Sequence, residues 1–299
     1  MKVLVTGATG YIGGRLVPRL LANGHQLRVL VRDPSRIVGR PWTERVEVVA
    51  GDLRRPESLG PAFEEVEAAY YLVHSMTDSQ DFGAVEATCA RNFAQAARGL
   101  DLCIYLGGLI PTVDSVSEHL CSRARVGEIL RASLPTTEFR AGPIIGSGSA
   151  SFEMVRYLTE RLPIMITPRW VDNPVQPINI RAVLDYLIRA LEKDPLGVVD
   201  IGAERLTFRA MMEQYAEIRG LRRKIFPVPV LAPRLAALLV GLVTPIPNSL
   251  AVPLVQGVVH PVVADTTRAG EVFPDIEPFD YRTACRLAVE RTARKMVET

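Results

Sequence analysis

Apolar and polar positions in the first half of the chain alternate between short apolar runs and longer segments with helical spacing. The short runs predict strands at 3–6, 26–31, 46–50, 69–73, 103–106 and 137–141. The helically spaced segments predict helices at 11–22, 56–63, 82–98 and 117–133. Strands that alternate with helices in this order are typical of an α/β fold with a doubly wound parallel sheet.

The regular alternation loosens after residue 142. Helical spacing returns at 181–192, 207–219 and 281–297, but a proline-interrupted stretch precedes these segments. We therefore expect one domain over residues 1–145 and a smaller C-terminal α/β lobe over 146–299, with some segments of the lobe returning to the first domain.

The turn after the first predicted strand reads GATGYIG, with Gly7, Gly10 and Gly13 three residues apart. A tight turn favours positive φ, a pyrophosphate needs backbone without a Cβ, and the third glycine lets the helix pack closely on the strand. The amino terminus of that helix would face the phosphates with a partial positive charge. This context favours a dinucleotide-binding turn over a simple tight turn. Three intervening residues join the candidate site: Thr9, Tyr11 and Ile12.

The spacing G-x-x-G-x-x-G resembles that of the extended and atypical short-chain dehydrogenase/reductase superfamily. Within it, the chain is most similar to the NmrA-like proteins and to the NAD(P)-binding subunit of respiratory complex I. The resemblance is strongest over residues 1–145. It implies a Rossmann fold in which that domain binds NAD(P).

The end of the second predicted strand bears on the choice of cofactor. An NAD site usually places a carboxylate there, whereas an NADP site needs positive charge for the 2′-phosphate. The chain has Arg32 at this strand end and Arg36 four residues later. Guanidinium groups bind phosphate in bidentate fashion, so we expect NADP. Asp33 keeps NAD open as the alternative, and two surface arginines in a polar loop are the simpler interpretation.

The resemblance also implies cofactor contacts after the later strands. Asp52 and Leu53 correspond to the residues that border the adenine. The ribose and nicotinamide side corresponds to Leu72, Val73, His74 and Ser75, to Gly107, and to Gly142, Pro143 and Ile144.

Hydride-transferring members of the superfamily generally carry Tyr-x-x-x-Lys and a serine or threonine after the fifth strand. This chain departs from that pattern, with Gly107 and Gly108 at the serine position. The alignment puts His119 at the tyrosine and Arg123 at the lysine, four residues apart on one helical face. We expect His119 to act as the acid or base, with a pKa near neutrality, and Arg123 to bind ribose or phosphate. The alternative is that the catalytic residues have been lost and that His119 is an ordinary, partly exposed helix residue. His74 and Ser75 are further candidate proton donors.

The sequence says less about the residues that would bind the substrate. Residues 176–181 either face the pocket or form a joint between the lobes, and the apolar, proline-rich region 226–259 forms either a lid or channel or ordinary packing. We expect an NADP-dependent oxidoreductase acting on a hydrophobic carbonyl, enone or quinone. The alternative is a non-catalytic NADP(H)-binding regulator or assembly factor, as the missing serine and tyrosine suggest. An epimerase or dehydratase is disfavoured because that chemistry depends on the absent tyrosine.

Composition and charge bear on the partners and the cellular compartment of the protein. The formal net charge of +2 gives no basic field that would favour nucleic acid. The four cysteines are far apart in sequence, which predicts neither a disulfide framework nor a metal site. The amino terminus lacks the pattern of a signal peptide, and no apolar stretch is long enough to span a membrane, so we expect a cytoplasmic protein. Peripheral membrane contact and a homodimer stay open.

Overall fold

The structure, a computed structural model, describes residues 1–74, 82–111, 117–228 and 240–293. The strands of the first half are β1 (Lys2–Thr6), β2 (Gln26–Val31), β3 (Glu47–Ala50), β4 (Ala68–Tyr71), β5 (Leu102–Gly108) and β6 (Thr136–Ala141). The later strands are β7 (Ile144–Ile145), β8 (Ile164–Pro168), β9 (Pro174–Val175), β10 (Ile178–Asn179), β11 (Gly197–Ile201), β12 (Leu206–Thr207) and β13 (Lys224–Val228).

Helices follow most of these strands. In the first half they are α1 (Gly13–Ala22), α2 (Gly60–Phe63), α3 (Phe82–Ala96) and α4 (Glu118–Ser133). In the second half they are α5 (Ala150–Arg161), α6 (Ile180–Arg189), α7 (Phe208–Ile218), α8 (Asn248–Gly257), α9 (Thr267–Val272) and α10 (Tyr281–Ala293). Within the described ranges, no helix has both the length and the apolar character needed to cross a membrane.

The central sheet has seven parallel strands in the order β11-β6-β5-β4-β1-β2-β3. The order reverses at β1 and β4, which is the place where open α/β sheets bind ligands beyond the carboxyl ends of their strands. The predicted doubly wound α/β fold is confirmed. The six strands predicted in the first half are present, and their ends shift by one or two residues.

The seventh strand of this sheet was not predicted. β11 pairs in parallel with β6, although more than fifty residues separate the two strands. Its short sequence, GVVDI, is interrupted by Asp200, which obscures the apolar run that would indicate a buried strand. A segment of the C-terminal half therefore completes the main sheet.

The three largest apolar clusters of the described residues hold these layers together. One core lies between the sheet and helices α1 and α6, and a second lies between the opposite face and helices α3 and α4. A third core joins α5, α7, α8 and α10 in the C-terminal half. Ser117 begins α4 by accepting the Leu120 N–H on its side chain, which fixes the start of a helix that reaches the candidate site.

Candidate active site

The glycine turn between β1 and α1 is too crowded for side chains at two of its positions. Gly7 has a φ of +74°, and a Cβ there would lie 2.5 Å from the carbonyl oxygen of Leu72. A Cβ on Gly13 would lie 2.4 Å from the carbonyl oxygen of Gly7, so α1 could not approach β1 as it does. Gly10 donates its N–H to the Gly7 carbonyl at 2.9 Å and is exposed. The turn is a cradle of bare backbone at the amino end of α1.

The chemistry around this cradle fits a dinucleotide. α1 begins at Gly13, and Ile12 before it offers no side-chain cap, so the helix dipole faces the turn without a local counter-charge. The Arg15 guanidinium lies 3.9 Å from the centre of the Tyr11 ring and donates to the Ser147 carbonyl at 2.9 Å. Bare backbone, a helix amino terminus and a guanidinium together suit a pyrophosphate.

The loop after β2 presents two guanidinium groups and a carboxylate that is already engaged. Arg32 and Arg36 are exposed. The Asp33 carboxylate accepts from the Ser35 N–H at 3.0 Å and from the Ser35 hydroxyl at 2.7 Å, and these hydrogen bonds lower the pKa of Asp33. Because Asp33 caps this turn, the loop suits a phosphate better than a ribose hydroxyl.

A third arginine, which the sequence analysis overlooked, links this loop to the glycine turn. Arg40 donates from Nη2 to the Thr9 carbonyl at 3.3 Å. Its Nη1 would lie 2.6 Å from a Cβ on Gly14. Arginines recur at positions 32, 36 and 40, and this regular spacing was the signal that could have identified it.

Asp52 and Leu53 lie beyond the end of β3. The Arg54 guanidinium binds the Asp52 carboxylate at 2.6 Å and, chiefly through this hydrogen bond, lowers its pKa despite partial burial. The positive charge of Arg32, which follows the neighbouring strand β2, lowers the pKa of Asp52 further. Leu53 is buried, and its carbonyl accepts from the Asn92 side chain at 2.8 Å.

A cavity of about 610 Å³ runs from the glycine turn toward the C-terminal helices. Most of the residues predicted for the site line it: Gly7, Gly10, Tyr11, Ile12, Gly13, Leu72, His74, Gly107, His119, Arg123, Gly142, Pro143 and Ile144. Other predicted residues lie outside the lining: Thr9, Arg32, Arg36, Asp52, Leu53 and Val73. Val73 packs against the core beside α3, and Ser75 lies outside the described residues.

The glycine at the usual serine position has a structural cause. A Cβ on Gly107 would lie 3.2 Å from Oε1 of Glu138 and 3.2 Å from the Tyr105 ring. Glu138 is buried, and its carboxylate is paired with Arg131 and with Arg140. This buried ion-pair cluster occupies the space beside β5 that a side chain at position 107 would need.

A buried carboxylate on α3 joins two side chains of the cavity region. Oε1 of Glu86 lies 2.6 Å from Nδ1 of His74, which follows β4. The Ser122 hydroxyl of α4 donates to Oε2 of Glu86 at 2.7 Å. Glu86 and Ser122 are each only 5% exposed. Three separate segments therefore meet in one hydrogen-bonded group beside the cavity.

The charges in this group are set by burial and by its own contacts. Burial raises the pKa of Glu86, but the hydrogen bonds from His74 and Ser122 and the positive charge of Arg123 outweigh it and lower the pKa. Burial lowers the pKa of His74, and the Glu86 carboxylate opposes this only in part. At neutral pH Glu86 is ionised and His74 is neutral, so Nδ1 of His74 carries the proton that it donates to Glu86.

His119 and Arg123 line the cavity next to this group. The His119 and His74 ring centres are 4.8 Å apart. Burial, with the positive charges of His74 and Arg123, lowers the pKa of His119 to about 3. The pKa near neutrality expected from the sequence is therefore wrong, because the sequence did not reveal that the ring would be partly buried beside His74 and Arg123. Arg123 donates to the Leu106 carbonyl and lies 5.2 Å from the centre of the Tyr105 ring, which fixes its guanidinium at the end of β5.

The rest of the cavity wall is apolar and comes largely from the second half of the chain. It includes Leu109, Leu120, Met154, Val175, Phe208, Leu250, Pro253, Leu254, Val258 and Val262. Helix α8 has two roles, since Ala251 and Val255 are buried in the C-terminal core while Leu250 and Leu254 line the cavity. The described part of region 226–259 thus serves both packing and the cavity. Residues 229–239 lie outside the description.

Residues 176–181, which are all described, do not line the cavity. Gln176 is buried and donates to the Ala203 carbonyl at 2.8 Å, while its side-chain oxygen accepts from the Ala264 N–H at 3.0 Å. Asn179 caps α6 through the Ala182 N–H at 2.8 Å. This segment is a joint between elements of the second half.

The sequence analysis selected neither Glu86 nor Ser122 as a site residue. The sequence contained only a weak indication that Glu86 belongs to the site. Glu86 is a lone acidic residue in the segment FGAVEATCA, where small and apolar side chains indicate a buried helix. A carboxylate in such a segment indicates a buried partner, but the sequence does not show that the partner is His74.

Comparison with known proteins agrees with the fold and the turn. Residues 7–101 match the family described as NAD(P)H-binding. Ceramide reductase from Caulobacter vibrioides is 28% identical over 236 residues, which cover 76% of this chain and 73% of that protein. The chloroplastic divinyl chlorophyllide a 8-vinyl-reductase from Zea mays is 31% identical over 169 residues, which cover 52% of this chain but only 39% of that protein.

A solved structure supports the architecture over nearly the whole length. A short-chain dehydrogenase/reductase superfamily protein from Agrobacterium tumefaciens, solved with bound NAD, superposes with a TM-score of 0.71. The comparison covers 99% of this chain and 98% of that one, with 17% sequence identity. At this identity the likeness establishes the fold alone.

Proposed function

We propose that this chain, an NAD(P)-dependent oxidoreductase of the atypical short-chain dehydrogenase/reductase type, uses NADPH to reduce a hydrophobic carbonyl, enone or quinone. Residues 1–145 would hold the cofactor in this proposal, and residues 146–299 would supply most of the substrate wall. The observation that carries it is the cavity, which joins the glycine turn, two histidines and a largely apolar wall in one space.

The choice of NADPH rests on the arginines around the adenosine end. Arg32 and Arg36 are exposed beyond β2, and Arg40 lies against the glycine turn. The nearest carboxylate in this loop, Asp33, is held by Ser35. A 2′-phosphate would gain charge-assisted hydrogen bonds here, whereas NADH would leave these guanidinium groups without that partner.

The hydrophobic substrate is supported by the wall and by the two relatives. Their names describe reduction of a ceramide and of a vinyl group on a chlorophyllide, and both molecules are large and mostly apolar. The leucine and valine side chains of α8 and its neighbourhood would bury such a molecule through the hydrophobic effect. The diphosphate of a nucleotide sugar would instead need several polar partners along this wall.

When bound, the dinucleotide supplies the hydride. The side chains of the protein would orient the substrate and handle the proton. As a neutral imidazole, His119 would donate a hydrogen bond to the substrate oxygen without changing its own charge. Arg123, fixed at the Leu106 carbonyl, would hold the ribose side of the cofactor.

The test is NADPH oxidation with homologous ketones, enones and quinones of increasing alkyl length. We expect kcat/KM to rise with each added methylene by up to about fourfold, because each buried CH2 contributes about 0.8 kcal/mol. NADH should support a lower kcat/KM than NADPH. A UDP-sugar serves as the polar comparison and should not react.

Two outcomes would contradict the proposal. Tight NADPH binding without turnover anywhere on the panel would favour the regulator or assembly factor instead. Turnover that is independent of alkyl length would contradict the apolar substrate wall, while leaving the oxidoreductase class in place.

A further inference from the structure

We propose that the outer face of the two-stranded sheet formed by β8 and β13 docks on the surface of a bilayer that contains anionic lipids. This β8–β13 face consists of Ile164 and Ile166 of β8 and of Lys224 and Phe226 of β13. The inference goes beyond the proposed reduction and does not depend on it, because it concerns the surface that the protein binds and not the molecule that it reduces.

The β8–β13 face is one side of a small sheet that is separate from the main one. The two strands pair in parallel, with Ile166 opposite Phe226 and Ile164 opposite Lys224. Met165, between the two isoleucines, is buried in the C-terminal core. Because successive side chains of a strand point to opposite faces, the four side chains of the β8–β13 face point away from this core.

This face is apolar although it is exposed to solvent. The exposed fraction is 58% for Ile164, 65% for Ile166 and 51% for Phe226. A strand that packs one side on a core normally carries polar side chains on the other side. Neighbouring exposed apolar side chains with polar residues around them mark interaction sites. The departure from the usual alternation therefore indicates a surface that binds an apolar phase.

The charged residues around this face are all positive. The segments 161–169 and 219–228 contain six basic residues and no acidic one, and the six are Arg161, Arg169, Arg219, Arg222, Arg223 and Lys224. Two of them are engaged within the protein, since Arg219 binds the Glu160 carboxylate at 3.4 Å and Arg223 donates to the Thr159 and Glu160 carbonyls. Three others, Arg161, Arg222 and Lys224, are exposed, and no carboxylate of the described residues forms a salt bridge with them.

Positive charge beside exposed apolar side chains suits an anionic bilayer better than a second copy of this chain. A symmetric dimer would place the same patch on both sides of its interface, so basic residues would face basic residues. An anionic leaflet instead attracts each basic residue near its surface. Apolar side chains gain stability by entering the boundary between the head groups and the acyl chains.

One helix joins the β8–β13 face to the cavity. Ala150 and Met154 at the start of α5 line the cavity, and α5 ends at Arg161, three residues before Ile164. The twelve residues of α5 span about 18 Å. The Arg161 guanidinium donates to the Val243 carbonyl at 2.5 Å, in the segment that leads into α8, and α8 also lines the cavity. Docking would therefore bring the cavity within about one helix length of the bilayer.

The first test measures sedimentation of the full chain with vesicles, without cofactor or substrate. We expect binding to vesicles of equal parts phosphatidylcholine and phosphatidylglycerol, weaker binding at high salt, and little binding to phosphatidylcholine alone. The double variant Arg222→Gln, Lys224→Gln should weaken binding about 30-fold, because each basic residue near an anionic surface contributes about fivefold. Arg91→Gln, Arg98→Gln is the matched control, since it removes the same charge from exposed positions on and just after α3, and it should bind like the wild type.

The second test determines whether the apolar side chains enter the bilayer. In Phe226→Trp, the added tryptophan emission should shift to shorter wavelength with the same mixed vesicles, and lipids with brominated acyl chains should quench it. Separately, Ile166→Thr, Phe226→Thr should weaken vesicle binding about tenfold or more, because two large apolar side chains no longer leave water. Threonine keeps the β-branched shape that strands favour, so the sheet should still form. Val48→Thr, at an exposed position of β3, is the control and should not change binding.

The outcomes separate this inference from the proposed function. Absence of binding to the mixed vesicles would overturn the inference, and so would equal losses in the face variants and their controls. A dimer that forms without lipid and dissociates in Ile166→Thr, Phe226→Thr, measured by light scattering, would also overturn it and would assign the face to a contact between copies. Should that variant fail to fold, the glutamine variants still decide. Neither test uses turnover, so an enzyme that is inactive on the whole substrate panel would contradict the proposed function alone.

Discussion

The adenosine and nicotinamide ends of the proposed cofactor site are built in different ways. The adenosine end consists of a backbone turn and exposed arginines, and it is made almost entirely by residues 7–54. The nicotinamide end consists of buried side chains that follow β4, lie on α3 and α4, and follow β6. The residues of the adenosine end are close together in sequence and exposed to solvent. The residues of the nicotinamide end come from distant segments and are largely buried.

This difference predicts how substitutions and pH affect each end of the cofactor site. Electrostatic contacts at an exposed loop are screened by solvent, so single losses there should be modest. Buried ionisable groups are sensitive to pH because the interior opposes their charged forms. The glycine turn is an exception at the adenosine end, because the atoms nearest to a Cβ on Gly7 or Gly13 belong to the backbone and lie within 2.5 Å.

The largest effect should come from Gly13→Ala. The new Cβ would lie 2.4 Å from the Gly7 carbonyl oxygen and 2.9 Å from the Ala8 Cα, both backbone atoms. We expect a cost of roughly 4 kcal/mol and a loss of NADPH affinity of about a thousandfold. Fluorescence titration with NADPH and thermal unfolding measure the two effects. Gly60→Ala is the control, since a Cβ there has open space within 4 Å. Normal NADPH binding by Gly13→Ala would contradict the cradle.

The nicotinamide end should make the protein sensitive to acid. The pKa of His119 is about 3 in the folded protein and 6.5 in the unfolded chain, so the folded state binds fewer protons. Stability should therefore fall as pH drops below 6.5, by on the order of 3 kcal/mol at pH 4. Urea unfolding of His119→Gln should show a correspondingly flatter pH dependence. His260→Gln is the control, and an identical slope in wild type and His119→Gln would contradict the burial of this ring.

A smaller effect, on substrate binding and not on cofactor binding, should come from a substitution in the apolar wall of the cavity. Leu254→Asn places an amide against the cavity, and loss of the leucine contact should raise the KM for long-chain substrates by about 10-fold to 100-fold. The NADPH Kd should stay the same. Leu242→Asn is the matched control because Leu242 is 81% exposed. Equal KM changes in the two variants would argue that α8 does not contact the substrate.

The smallest effect should be at the exposed loop. The double variant Arg32→Ala, Arg36→Ala should weaken NADPH binding by about tenfold and leave NADH binding nearly unchanged, because only NADPH carries the 2′-phosphate. Isothermal titration with both cofactors gives the ratio. Arg55→Ala, at another exposed arginine, should not change that ratio. An equal loss for both cofactors would show that these arginines do not select NADP.

The sequence predicted the architecture well where neighbouring residues determine it. The alternation of apolar runs gave six strands of the main sheet, because each is a short buried segment next to a helix that covers it. It did not give β11, whose place depends on pairing with β6 and not on a local pattern. Helix α5 was also missed, although Ser149 accepts the Phe152 N–H at 3.2 Å as a helix cap.

The residues of the candidate site also divide into those that neighbouring residues determine and those that depend on distant contacts. Gly7, Gly10 and Gly13 were selected because turn geometry depends on residues next to one another. Glu86 was missed because its meaning depends on His74 and Ser122, which are 12 and 36 residues away. The near-neutral pKa expected for His119 was wrong for the same reason, since burial is a property of the assembled fold. The roles assigned to these residues stay predictions until the variants are measured.

The position of β11 has a consequence for protein engineering. It covers the edge of β6, and several side chains of α6 fill the core on one face of the sheet. A fragment cut after residue 145 would expose an open strand edge and an apolar surface, and both promote aggregation. Chimaeras that exchange substrate specificity between relatives would therefore need at least two crossover points, placed so that β11 and α6 stay with the parent that supplies β6.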